Sequence, residues 1–244
     1  METLPIYISV VFALTTLLAV WLFFRAAHFS KYVLALSLAW LAAQGGLALT
    51  GFYTVTNTLP PRMLLLVLPP LLLIAILFAT SRGRQFIDGL DTGALTLLHL
   101  VRVPVEVVLF WLFLGGVVPE LMTFEGRNFD VLSGLSAPVV YYLGYRRNSS
   151  VPKGFLLAWN FLCLGLLLNI VINGILSIPT PFQQFAFNQP NVALLYFPFV
   201  WLPCFIVPVV FFSHLATIKQ LLAYKGKAAG NGIDKSGSPF LRSA

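Results

Sequence analysis

From Pro5 to Phe24 the chain passes twenty residues without a charged side chain, and runs nearly as apolar recur as far as residue 217. This feature limits the fold more than any other. A helix needs about 20 apolar residues to cross the roughly 30 Å hydrocarbon core of a bilayer, whereas a spanning strand needs only about 9–11. Inside lipid every backbone N–H and C=O must be satisfied by the chain itself, which leaves helices or a closed barrel. The runs have helix length, so the expected fold is all-α, a polytopic bundle of transmembrane helices. Composition agrees: 59% of residues are hydrophobic and 9% charged, against about 25% charged in ordinary soluble domains.

Polar punctuation divides the chain into seven expected spans, at 5–24, 32–53, 63–80, 92–118, 131–145, 154–177 and 194–217. The expected domain plan is a seven-helix membrane domain over 1–221 and a disordered tail over 222–244, where Gly, Ser and Lys accumulate. Twelve of the 15 Lys and Arg fall in loops one, three and five or in the tail; only Arg62 and Arg127 fall in the opposite loops, and Arg102 lies within a span. By the positive-inside rule the N-terminus is outside and the C-terminus cytoplasmic. The formal charge of +7 therefore reads as orientation in a cell membrane, and nucleic acid is not an expected partner. Cys163 and Cys204 both lie in apolar runs, where they act as small hydrophobes and imply no disulfide framework.

The stretch HLVRVPVEVVLF, residues 99–110, breaks the pattern. At 100° per residue, His99, Arg102 and Glu106 share one narrow face of the fourth span. Ionisable groups at that depth are costly in lipid and should face the bundle interior or water. Pro104 has no N–H for the carbonyl of Leu100, so a bend is expected beside them. Arg102 and Glu106, at i and i+4, are the expected ion pair. Asn169 and Asn173 share a face of the sixth span and complete the candidate ligand- or ion-binding set, while Asn160 points nearly the opposite way. The outer loop TFEGRNFD reads as a solvated turn in which Asp130 caps the fifth span.

Three histidines occur, His28, His99 and His214, and none belongs to an HxxxH pair. No HExxH, GxSxG or P-loop pattern is present, so no metal site or catalytic residue is assigned. The last span carries no lysine, which excludes a retinal Schiff base there. No motif names a cofactor. The leading expectation is a small-solute or ion transporter, with proton coupling: Glu106 takes the proton or a cation, Arg102 tunes it or holds an anion, and His99 relays protons inward. The alternatives are a membrane-embedded enzyme or cofactor-binding protein acting on a lipid-soluble substrate through the same face, and a non-catalytic accessory subunit. The expected partners are the bilayer and a small solute, ion or proton.

Overall fold

The computed structural model describes residues 4–146 and 151–223, and among them it is all-helical, without a strand. Nine α-helices follow in order: α1 (Ile6–Ala26), α2 (Lys31–Leu49), α3 (Leu64–Ala79), α4 (Ser81–Asp88), α5 (Thr92–Leu98), α6 (Arg102–Leu114), α7 (Val131–Tyr141), α8 (Lys153–Leu176) and α9 (Val207–Ala223). A 3₁₀ turn, His99–Val101, joins α5 to α6, while a π turn, Tyr142–Arg146, extends α7 and another, Leu202–Ile206, leads into α9.

Five of these helical stretches are long and apolar enough to cross a membrane: α1, α2, Thr92–Leu114, α8 and Leu202–Ala223. A sixth is added if α3 and α4 count as one span, although they are bent by 93°. Gly83 makes that bend possible, because a Cβ there would lie 2.3 Å from the carbonyl oxygen of Leu77. Thr80 caps α4 by accepting from the Gly83 N–H at 3.1 Å. The α7 helix has 11 residues, short of a bilayer on its own, so helix length carries five or six spans rather than seven. Large apolar side chains remain exposed on the outside of the bundle, among them Leu14, Leu36, Leu72, Leu162 and Ile172. Such a surface suits a lipid solvent and would aggregate in water.

The last expected span is shifted. Residues 196–200 are outside the helix, and the continuous helical stretch runs from Leu202 to Ala223. Helix therefore continues two residues into the expected tail, and 224–244 lie outside the described residues. Pro198 falls in the non-helical stretch and Pro203 at the start of the helix, where a missing N–H is tolerated, while Pro208 lies inside it. Pro208 leaves the Cys204 carbonyl without its i+4 donor, and the Trp40 indole of α2 takes that oxygen at 2.8 Å. Trp201 returns the bond, donating to the Leu41 carbonyl at 2.9 Å. Two tryptophans thus lock α2 to the proline-rich segment.

At one end of the bundle three chain corners meet. The Asp91 N–H donates to the Ala26 carbonyl at 2.9 Å, and His28 Nε2 donates to the Gly89 carbonyl at 2.8 Å. From the end of α9, Gln220 donates to the Ile87 and Leu90 carbonyls, and Lys219 pairs with Asp88. The cation-bearing segments at residues 25–31, 82–84 and 219 therefore share one end.

Candidate functional site

The polar stretch of the sequence lies within one helical stretch, Thr92–Leu114, tightened at His99–Val101 into a 3₁₀ turn. The 3₁₀ turn ends α5, and Pro104 falls in the first turn of α6, where a missing N–H costs little. The reset directs His99, Arg102 and Glu106 inward, and all three are buried.

A buried guanidinium needs a counter-charge, and Asp130 supplies it. Arg102 Nη1 donates to Asp130 Oδ1 at 2.8 Å, with both side chains nearly inaccessible. This corrects two sequence expectations: Glu106 is not the ion-pair partner of Arg102, and Asp130 makes no capping bond to α7. The physical reason is the hierarchy of needs, since an unpaired buried charge costs several kcal/mol while a missing cap costs about 1. The loop between α6 and α7 folds inward to deliver the carboxylate, so Thr123, Asn128 and Asp130 are buried rather than solvated. Gly134 permits the approach of α7, because a Cβ there would meet Val103 Cγ2 at 2.8 Å and the Val103 backbone nitrogen at 3.1 Å.

Glu106 is held by the same loop. Asn128 Nδ2 donates to Glu106 Oε1 and also to the Met122 carbonyl at 3.0 Å. Asn128 Oδ1 accepts from the Asp130 N–H at 3.0 Å. One asparagine thus positions both acids.

On the other side, Arg102 Nη2 lies 2.8 Å from His214 Nε2. A guanidinium only donates, so His214 Nε2 is the acceptor and Nδ1 carries the proton. Nδ1–H accordingly donates to Asn160 Oδ1 at 2.9 Å, and the Asn160 amide donates to the Leu156 carbonyl at 2.9 Å. The His99 ring stacks on His214 with centroids 4.0 Å apart and planes at 17°, and Trp159 meets His99 edge-on at 5.5 Å. Among the described residues neither nitrogen of His99 has a hydrogen-bond partner.

Beside this cluster is a cavity of about 220 Å³ between α3, α6, α8 and the proline-rich approach to α9. Arg102, Glu106 and Asp130 line it, and the remaining walls are apolar, including Leu109, Leu167, Ile178 and Phe211. Leu71 of α3 and Leu168 and Ile175 of α8 line it as well, and these three side chains are exposed. Its mouth therefore lies between α3 and α8 on the apolar outer surface.

Asn169 and Asn173 are elsewhere. Asn169 donates to the Arg127 carbonyl at 2.9 Å and Asn173 donates back to Asn169, so the pair anchors the loop between α6 and α7 to α8, and neither lines the cavity. Asn160, on the face of α8 not selected from the sequence, is the one that joins the cluster. His214 also escaped selection, although a histidine within the apolar run of α9 was its signal. Asn128 and Asp130 had no local signal linking them to α6. Among the described residues no three His, Cys, Asp or Glu side chains gather to hold a metal ion.

Residues 59–222 match a family model described as a domain of unknown function, DUF8737. The match runs from just before α3 almost to the end of α9 and contains every residue of the buried cluster. No curated protein and no solved structure matches the chain. Because the matched segment takes in well over half of the 244 residues, the protein belongs to the DUF8737 family.

Proposed function

We propose that this protein is a multi-pass membrane protein that binds a lipid-soluble molecule in the cavity beside α6, with the polar head of the ligand at Arg102 and Glu106. The observation that carries this reading is the lining: three ionisable side chains at one side of an otherwise apolar cavity whose mouth has exposed leucine and isoleucine. Ligand pockets of this kind are mostly apolar with a few placed polar groups that fix orientation. Entry between α3 and α8 brings a hydrophobic molecule in from the bilayer without crossing water. Whether the occupant is a substrate or a resident cofactor depends on chemistry at its head, and the same groups serve either role.

The test is direct. Protein purified in mild detergent is examined by native mass spectrometry and by solvent extraction of what it retains. A bound hydrophobic molecule is expected, and Leu109→Trp, which fills the cavity, should abolish its retention while the protein stays folded. Retention unaffected by Leu109→Trp would overturn the reading.

A second reading, proton-coupled transport of a small solute or ion, is favoured by the connected chain from Asp130 through Arg102 and His214 to Asn160, with His99 stacked against it. In that reading Glu106 carries the exchangeable proton and His99 relays it. Reconstituted vesicles would show pH-dependent uptake that Glu106→Gln removes.

For topology we propose seven crossings in a cell membrane, N-terminus outside and C-terminus cytoplasmic, with 1–221 as the membrane domain and the remainder as tail. The charge bias supports it. So does α4, which after its 93° bend exposes Arg82 and Arg84 and buries Ile87, as a helix lying along the interface does. Both α3 and α7 with its π turn are about 24 Å long at 1.5 Å per residue, short crossings that a locally thinned bilayer accommodates.

A further inference from the structure

A second cavity, of about 460 Å³, opens on another face of α3, between α2, α3 and the proline-rich approach to α9. Tyr32 and Leu36 of α2 and Leu73 of α3 line it and are exposed, so its mouth lies between α2 and α3 on the apolar outer surface. Among the described residues no charged side chain lines it, and the Trp40 N–H in its wall already donates to the Cys204 carbonyl. The interior therefore suits a wholly apolar occupant. Along α2 the lining runs from Tyr32 to Trp40, about 12 Å at 1.5 Å per residue. Half of a roughly 30 Å hydrocarbon core is about 15 Å, so the cavity is close to one leaflet deep.

Charge stands at its shallow end. Lys31 Nζ lies 5.5 Å from the centroid of the Tyr32 ring, and that ring lines the cavity. On α4, Arg82 comes four residues before Phe86, another lining residue, and side chains at that spacing are neighbours on a helix. Lys31 and Arg82 are both exposed, and neither belongs to an ion pair among the described residues. The other charges at this end are engaged. Arg84 donates to the Phe78 and Ala79 carbonyls, Asp88 pairs with Lys219, and Asp91 caps α5. Two uncommitted cations thus border an apolar slot that opens sideways to lipid.

Resting on the membrane reading above but not on the cavity beside α6, we propose that this second cavity holds one acyl chain of an anionic phospholipid taken from the adjoining leaflet. The phosphate sits at Lys31, Arg82 adds to the positive potential there, and the second chain stays in the bilayer beyond the open mouth. A zwitterionic choline headgroup brings its own cation to the same place and is disfavoured.

The experiment uses delipidated full-length protein in non-ionic detergent, titrated with dioleoyl phosphatidylglycerol or dioleoyl phosphatidylcholine, with retention read by native mass spectrometry. Wild type should hold the glycerol lipid at least about fivefold more tightly, the worth of one cation beside an anionic lipid surface. The double change Lys31→Gln with Arg82→Gln should remove that preference. Leu73→Trp and Leu36→Trp narrow the mouth from its two walls, and because both positions are exposed the core is undisturbed; each should weaken retention of both lipids. Leu109→Trp, which fills the cavity beside α6, should leave phospholipid retention unchanged. Equal retention of the two lipids, a preference that survives the double change, or retention unaffected by both mouth variants overturns the proposal. Loss of the phospholipid in Leu109→Trp also overturns it, by placing the lipid in the first cavity, whose reading then stands. A lipid-free dimer that Leu73→Trp dissociates overturns it as well and assigns the face to a second copy of the chain.

Discussion

Arg102 and Asp130, 28 residues apart in the chain, form a buried ion pair at 2.8 Å that ties the loop between α6 and α7 to the centre of the bundle. Removing either charge leaves the other buried and unpaired, at a cost of about 3–5 kcal/mol. Arg102→Ala and Asp130→Ala should each lower stability by that order. The double change Arg102→Met with Asp130→Leu should recover part of the loss. Thermal unfolding in detergent measures it. The coupling found for 102 with 130 should exceed that for 102 with 106, and the reverse order would restore the intrahelical pair.

Asn128 positions both acids, so its amide is expected to matter more than a loop residue usually does. Asn128→Ala removes the donor to Glu106 and to the Met122 carbonyl, leaving buried acceptors whose desolvation costs about 1–3 kcal/mol each. Limited proteolysis should show faster cleavage within residues 120–130 than in wild type. Unchanged protection would mean that packing alone holds the loop.

The two tryptophans at the proline-rich segment offer a cleaner cycle. Trp40→Phe strands the Cys204 carbonyl and should destabilise the fold by about 1–3 kcal/mol. Pro208→Ala supplies the N–H that the helix ladder lacks at that oxygen. In the Pro208→Ala background, Trp40→Phe should therefore cost distinctly less. Equal costs in both backgrounds, measured by chemical denaturation, would show that the indole acts through packing and not through its bond.

The proposed orientation is tested by labelling. Cys163 and Cys204 are buried free thiols, so background reaction is low. Glu125 in the loop between α6 and α7 and Arg84 on α4 are exposed. In intact cells a membrane-impermeant maleimide should label Glu125→Cys, and should label Arg84→Cys only after the cells are opened. Labelling of both in intact cells would reject the seven-span arrangement.

The helical architecture and the inward-facing charges of α6 were legible because each depends on residues close in the chain. Apolar run length, proline and the helical period act over a few turns, and a charge in an apolar run must face inward whatever surrounds it. The partners of those charges depend on contacts across the bundle. Asp130 read locally as a helix cap and Asn128 as part of a solvated turn, until the loop was seen to fold in and Gly134 to let α7 close on Val103. Asn160, rather than Asn169 and Asn173, reached the cluster because α8 turns that face toward His214. No period or spacing encodes which of two opposite helix faces meets the polar centre. That choice was made by packing, where the energetic demand to pair one buried guanidinium outweighs every local preference along the loop.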